Sequence, residues 1–367
     1  MTLLLSLSTS HAQPQWRYIG LQNESIKAIA VSPIDSNVIY AGSKNSVRPG
    51  GLFRTTNRGA TWDTLLRGAY TTDIKINPSQ PEVLYYGSTI GLLKSYDGGE
   101  LWVRSDSGIG IDWETYVACI AIDPLRPETL YCGTTGFYGG SLYKSTSGGE
   151  SWYPLHCDTI GPPYPPCFLL RAGVSAIAVD HQHPDTLFAG VVGSSALVKT
   201  IDGGAHWDTT GRLEWGLPYV IVVDPFDQQR IYVGRSDTGF HLSTDGGVTW
   251  QKITGGLPDT THLVSIAVNQ KRRNDVYAMA GGFSSRSDVF HSTDGGFTWT
   301  YTNIPVNTSS GEVVLSPSGA TVFAGVQYGV YKLDVEVELM QLIPPALLHG
   351  LFGSIPTIRI LSTAQRD

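Results

Sequence analysis

The sequence lacks several features that would place it in a familiar class. No stretch approaches the roughly 18 consecutive apolar residues of a transmembrane helix, so no membrane-spanning segment is expected. The formal net charge is −7, which argues against the basic surface that nucleic-acid binding requires. The basic run Lys271-Arg272-Arg273 is expected to be a solvated loop.

The short motifs of common catalytic and cofactor sites are also missing. The chain has no nucleophile elbow, HExxH helix, phosphate-binding loop or dinucleotide fingerprint. None of its four cysteines has the CxxC spacing of structural zinc, and its histidines are scattered. His181 and His183 are expected to contribute loop polarity rather than metal ligation. We therefore predict neither a cofactor nor a metal.

The sequence does contain a repeated motif, Ser/Thr-x-Asp-x-Gly-x-x-Trp in its ideal form. Its six copies end at Trp62, Trp102, Trp152, Trp207, Trp250 and Trp299, 40 to 55 residues apart. Their third positions are Asn57, Asp97, Ser147, Asp202, Asp245 and Asp294. Repeats of this length in a β-rich sequence are typical of radially stacked sheets.

Each copy of the motif lies between two β patterns and so predicts a hairpin turn. The Gly suits a backbone with positive φ, and the Asp and Ser/Thr side chains can bond backbone groups of the turn. The Trp supplies apolar surface between neighbouring sheets. Because Asn57 and Ser147 replace Asp, we interpret these carboxylates as structural rather than catalytic.

The repeat predicts an all-β fold, a single seven-bladed β-propeller of four-stranded antiparallel blades spanning residues 13–334. The last unit, Gly311–Leu333, provides three strands and no motif, whereas Trp16–Gly20 resembles an isolated fourth strand. We expect the N-terminal strand to complete the last blade and close the ring, because closure removes exposed sheet edges.

The two ends of the chain and its cysteines carry weaker signals. Residues 1–12 resemble the end of a signal peptide, which favours a secreted, periplasmic or cell-surface protein. Residues 335–367 form an extension of unknown structure. Cys119 and Cys132 either pair across adjacent strands or act as small buried apolar groups. A disulfide between Cys157 and Cys167 would close a Pro- and Gly-rich loop.

The repeated motif resembles the Asp-box, or BNR, repeat of sialidases, xyloglucan-cleaving glycosidases, sortilin-type receptor domains and photosystem II assembly factors. The resemblance covers residues 16–333 and implies a propeller, a fold that hosts both enzymes and binders. The sialidase arginine signature is absent from Gln15–Gly20. Xyloglucan-cleaving enzymes build their cleft between two propellers, and sortilin-type rings are larger. The photosystem factors match in blade count and length.

Candidate ligand-binding residues come from the variable loops after second and fourth strands, which share one face of a propeller. They are Arg48, Trp113, Phe137, Tyr138, Trp215, Arg235, Phe283, Arg286 and Tyr328. Exposed Trp can stack on a sugar or anchor a protein, whereas a packing role at the channel mouth is the alternative. We predict an exported, non-catalytic scaffold that binds a protein or glycan. The alternative is a polysaccharide-cleaving glycoside hydrolase that uses Asp112, Glu114 and Glu214.

Overall fold

The computed structural model describes residues 15–44, 50–111, 114–137, 139–155, 172–192, 197–211, 213, 216–236, 239–258, 262–281, 288–306 and 311–335. These residues form 28 strands, arranged as seven four-stranded antiparallel sheets, and no α-helix. The all-β, seven-bladed prediction is confirmed. The predicted segment 1–12 and, apart from Val335, the predicted extension 335–367 lie outside the described residues.

The first three blades follow the chain in order, with the first strand of each blade innermost. Blade 1 contains β2 (Ile26–Val31), β3 (Ile39–Ser43), β4 (Gly51–Thr55) and β5 (Asp63–Arg67). Blade 2 contains β6 (Thr71–Ile76), β7 (Leu84–Ser88), β8 (Gly91–Ser95) and β9 (Val103–Arg104). Blade 3 contains β10 (Thr115–Ile122), β11 (Leu130–Gly136), β12 (Leu142–Ser145) and β13 (Tyr153–Pro154).

The remaining blades repeat this order until the ring closes. Blade 4 contains β14 (Val174–Val179), β15 (Leu187–Val191), β16 (Leu197–Thr200) and β17 (Asp208–Thr209). Blade 5 contains β18 (Pro218–Asp224), β19 (Asp227–Arg235), β20 (Gly239–Ser243) and β21 (Gln251–Ile253). Blade 6 contains β22 (His262–Val268), β23 (Val276–Gly281), β24 (Asp288–Ser292) and β25 (Thr300–Tyr301). Blade 7 contains β26 (Glu312–Leu315), β27 (Thr321–Val326), β28 (Gly329–Asp334) and β1 (Arg17–Gly20).

The N-terminal strand closes the ring as the sequence predicts. Strand β1 pairs antiparallel with β28, with Tyr18 opposite Tyr331, and their rings lie 5.4 Å apart in an edge-to-face arrangement. The indole of Trp16 is buried and donates to the Thr302 hydroxyl of blade 6 at 3.0 Å. First strands of successive blades pack against each other, including β2 against β26. The first and last described strands therefore share one sheet.

Neighbouring blades meet at a glycine in the second strand of each of six blades. A Cβ at Gly133 would lie 2.7 Å from the carbonyl oxygen of Val174 in the next blade. The equivalent positions are Gly42, Gly87, Gly190, Gly234 and Gly325. Blade 6 has Met279 at this position, and it faces Gly311 of the next blade, where a Cβ would lie 2.0 Å from the Gly325 carbonyl oxygen and 3.0 Å from the Met279 sulfur. At this joint the large side chain therefore belongs to blade 6, and the residue without a side chain belongs to blade 7.

The repeated turn makes the hydrogen bonds that its sequence predicts. In blade 5, the Ser243 hydroxyl accepts from the Gly247 amide at 2.9 Å and donates to the Asp245 carboxylate at 2.8 Å. The same carboxylate accepts from the Thr249 amide at 2.8 Å. In blade 3, the Ser147 hydroxyl replaces the carboxylate and accepts from the Ser151 amide at 3.1 Å. In both blades the side chain at the third motif position therefore bonds the backbone of its own turn, in line with the structural role proposed for it.

Three of the repeated turns are also held by a cation of the preceding blade. The ammonium of Lys144 donates to the carbonyl of Gly203 at 2.8 Å, and that of Lys199 donates to the carbonyl of Gly246 at 3.1 Å. The guanidinium of Arg54 bonds the carbonyl of Gly98 in the same way at 3.1 Å. These cations come from the residue before the motif, so in these three cases one turn is tied to the next.

Candidate functional site

The two faces of the ring have different chemistry. The turn face carries the repeated turns together with the connections between first and second strands, since the Gly98 amide bonds the Glu82 carbonyl at 2.8 Å. The loop face carries the connections after second and fourth strands. Because the carboxylates of the repeated turns are already bonded to their own backbone, we look for candidate binding groups on the loop face.

Most of the predicted site residues lie outside the described residues. These are Arg48, Asp112, Trp113, Tyr138, Glu214, Trp215, Phe283 and Arg286, together with the predicted cysteine pair Cys157 and Cys167. Four candidates are described: Glu114, Phe137, Arg235 and Tyr328. Glu114 is half-buried and directly precedes β10. Phe137 and Tyr328 are exposed on the loop face, by 86% and 52%.

Arg235 requires a correction, because the sequence analysis places it in a ligand-contacting loop. The structure places it at the end of β19, where its side chain is fully buried. Its guanidinium donates to the carbonyl of Gly216. Arg235 therefore holds the connection before β18 in place and has no surface to offer a ligand.

Three exposed tyrosines on the loop face escaped the sequence analysis. Tyr70 immediately precedes β6, whereas Tyr116 and Tyr219 are the second residues of β10 and β18. Their side chains are 37%, 37% and 45% exposed. The available signal was an aromatic residue at the start of an otherwise aliphatic first strand. With Phe137 and Tyr328, they supply stacking surfaces on blades 2, 3, 5 and 7.

First strands carry a β-bulge near their start in six of the seven blades, and in blade 1 the bulge residue is Lys27. Since first strands surround the central channel of a propeller, Lys27 lies at the loop-face end of that channel. Its charged neighbours are Glu312, Lys44 and Asp73. We call Lys27, Lys44, Asp73, Lys75 and Glu312 the channel cluster.

The two carboxylates of the channel cluster are committed to neighbouring groups. Asp73 accepts from Lys75 at 2.6 Å and from the amide of Ile120 in the next blade at 2.7 Å. Glu312 accepts from the Ile29 amide at 2.8 Å, which joins blade 7 to blade 1. These acids therefore link the inner edges of consecutive blades.

The surroundings shift the pKa values of Lys75 and Lys27 in opposite directions. Burial alone would lower the pKa of Lys75, but the adjacent Asp73 carboxylate raises it to about 12. Burial lowers the pKa of Lys27, and Lys44 adds to this effect while Glu312 opposes it. Within the described part of the chain, neither Lys27 nor Lys44 makes a side-chain hydrogen bond or ion pair. The cluster thus contains three lysines and two acids, and Lys27 and Lys44 are the lysines without a side-chain hydrogen bond in the described part of the chain.

The described residues were compared with the requirements of a metal site and of a disulfide. They contain no group of three or more His, Cys, Asp or Glu side chains that could hold a metal ion. Cys119 and Cys132 are both free thiols, so of the two expectations the small buried group holds. Burial raises the pKa of both thiols. Across the described ranges, no helix is long and apolar enough to cross a membrane.

The molecule is a single seven-bladed β-propeller, and comparison with known proteins relates it to polysaccharide-cleaving enzymes. No family model matches the chain. It is 28% identical over 198 residues to a xyloglucanase of a Paenibacillus species, which covers 44% of this chain and 19% of that protein. It is 24% identical over 319 residues to a xyloglucanase of Hypocrea jecorina, covering 77% and 33%. The chain thus spans a third or less of the length of these relatives.

Solved structures agree on the fold. The GH74 enzyme of Niastella koreensis superposes with a TM-score of 0.65 at 18% identity, covering 87% of this chain and 54% of that one. YCF48 of Cyanidioschyzon merolae superposes with a TM-score of 0.62 at 16% identity, covering 88% and 99%. YCF48 bound to D1 peptide matches equally well, at 0.62 and 16%, covering 87% and 96%. The sequence relatives favour the hydrolase alternative over the non-catalytic scaffold.

Proposed function

We propose that this propeller acts on a polysaccharide, as a glycoside hydrolase of the xyloglucanase type. The observation that carries the proposal is the similarity to a Hypocrea jecorina xyloglucanase across 77% of the chain. The exposed aromatic side chains of the loop face support it, because aromatic faces stack on sugar rings. The loop face is therefore the proposed glycan-binding surface.

Glycoside hydrolysis needs two carboxyl groups about 5 to 10 Å apart across the sugar. Asp73 and Glu312 do not suit this task, since both are bonded to backbone amides of the next blade. The carboxylates of the repeated turns lie on the opposite face. We therefore assign the acid and base roles to the fourth-strand loops, with Asp112, Glu114 and Glu214 as the candidates.

A substrate panel with point variants tests this assignment. Purified protein is incubated with xyloglucan, mixed-linkage glucan, xylan and pectin, and new reducing ends are measured alongside retention on the immobilised polysaccharide. We expect turnover on at least one substrate and a loss of about 100-fold or more in Asp112→Asn, Glu114→Gln or Glu214→Gln, with binding retained. Glu128→Gln, an exposed acid on the turn face, serves as the control and should remain active.

Two outcomes would overturn the proposal in different ways. Binding to a polysaccharide without turnover would restore the non-catalytic recognition scaffold. Absence of both binding and turnover across the panel would remove glycan chemistry altogether. A polysaccharide substrate also fits the export suggested by residues 1–12. Fusion of that segment to a reporter that folds only outside the cytoplasm tests the localisation.

Peptide recognition is the second candidate. It is favoured by the fit to YCF48 bound to D1 peptide, which this chain covers almost completely. The shared fold alone does not transfer the ligand. A peptide-array screen in parallel with the polysaccharide panel separates the two functions, since saturable peptide binding without any glycan retention would favour this one.

A further inference from the structure

We infer that the channel cluster is a carboxylate-binding subsite, which selects a polysaccharide bearing uronic acid residues. Lys27 and Lys44 would bind the sugar carboxylate, and the tyrosines of the flanking blades would contact the ring. The inference rests on the proposed glycan function and refines its substrate class, since xyloglucan itself is not the acidic polymer that this subsite fits.

The lysines of the channel cluster outnumber its acids. Three ammonium groups, from Lys27, Lys44 and Lys75, face two carboxylates, from Asp73 and Glu312. Asp73 is bonded to Lys75 and to the Ile120 amide, and Glu312 is bonded to the Ile29 amide. A partly desolvated cation without a partner is costly, and an incoming anion removes that cost.

Lys27 is the bulge residue of β2, which departs from regular pairing between Ile26 and Ala28. The equivalent residues in the other bulged blades are Thr72, Ala118, Ser175, Tyr219 and Val264. Of the six bulged blades, only blade 1 therefore places a charge at this repeated channel position.

Tyrosines lie on the blades that flank the two lysines. Blade 2 presents Tyr70 directly before β6, and blade 7 presents Tyr328 between β27 and β28. Both are exposed aromatic side chains on the blades that flank Lys27. Tyr219 faces the same channel from blade 5. Tyrosine rings on the blades that flank Lys27 suit a ring-shaped ligand that carries an anionic substituent, which describes a uronic acid.

Calorimetric titration with matched probes tests the inference. The probes are tetragalacturonate and glucuronic-acid-substituted xylotetraose, each compared with its methyl ester, which keeps the sugar and removes the charge. We expect at least one acid to bind about tenfold more tightly than its ester, with a preference that weakens as salt is raised. Lys27→Met should abolish that preference, Lys44→Met should reduce it, and Lys27→Arg should retain part of it.

Lys271→Met, which removes an exposed lysine from the turn face, is the matched control and should bind as wild type. Thermal melts verify that each variant is folded. Equal affinity for acid and ester, or an unchanged preference in folded Lys27→Met, would overturn the subsite. Lys27-dependent binding of a peptide with a free C-terminal carboxylate, without binding of either sugar acid, would also overturn it. Failure to cleave xyloglucan bears only on the proposed hydrolysis and leaves this measurement intact.

Discussion

The framework of this ring and its loop face use the same kinds of side chain in opposite ways. In the framework, meaning the blade joints and the turn face, serine, aspartate and lysine side chains are bonded to backbone groups and every glycine makes room for a neighbour. On the loop face, tyrosines are exposed to solvent, and Lys27 and Lys44 make no side-chain hydrogen bond or ion pair within the described residues. Repetition therefore marks groups that maintain the fold, and departure from repetition marks groups available to a ligand.

The largest effect is expected at the joint between blades 6 and 7. Met279→Ala should lower the free energy of unfolding by about 2–5 kcal/mol, because it empties space in a fully buried core that Gly311 cannot fill. Gly234→Ala should destabilise for the opposite reason, since its Cβ would lie 2.7 Å from Val220 and 2.9 Å from the Leu263 carbonyl. Urea denaturation measures both, and an unchanged midpoint for Met279→Ala would contradict the joint described above.

The next effect is expected in the repeated turn. Ser243→Ala should cost about 1–3 kcal/mol, because the buried Gly247 amide loses its acceptor and Asp245 loses a donor. The same denaturation assay measures the change, while ligand binding should be unaffected. A turn-face variant that weakened glycan binding without loss of stability would break the division between framework and loop face.

Acid should act on the framework through the turn carboxylates. Hydrogen bonds from the Thr249 hydroxyl and amide lower the pKa of Asp245 to about 2. A lowered pKa in the folded state means that the ionised group stabilises the protein above the unfolded value near 3.9, and that this contribution is lost as pH falls towards 2. Asp245→Asn should flatten part of the stability loss between pH 4 and 2. Asn57 shows that the turn accepts the amide, since its oxygen bonds the Thr61 amide at 2.9 Å. A pH series of urea midpoints provides the measurement, and an unaltered slope would contradict the assignment.

The smallest effect on stability is expected on the loop face. Tyr328→Ala should change the free energy of unfolding by no more than about 0.5 kcal/mol, because the side chain is half exposed. It should nevertheless weaken retention on polysaccharide about fivefold through lost stacking. Tyr153→Ala, which removes a comparably exposed ring from the outer strand of blade 3, should do neither. Affinity electrophoresis compares the three proteins, and equal retention of all three would remove Tyr328 from the surface.

The fold was readable because its signal repeats. Six copies of one turn with local hydrogen bonds indicated the blades. A lone strand at Trp16–Gly20 and an incomplete last blade then indicated how the ring closes. The same reasoning placed Arg235 incorrectly, since the length of β19 depends on pairing with Gly239 and not on a local motif. Tyr70, Tyr116 and Tyr219 were missed because first strands look uniformly apolar in the sequence. Tyr219 lies at a bulge that only three-dimensional pairing defines.

The exchange of bulk between Met279 and Gly311 also limits how this ring could be recombined. Six blades present a glycine to the following blade and could in principle accept one another as neighbours, whereas blade 6 accepts only a successor that begins without a side chain. Blades 6 and 7 therefore form an inseparable pair in any shuffling or duplication of units. A ring assembled with blade 6 in front of blade 1 would force the Met279 thioether against Ile26, and its sheets could not close.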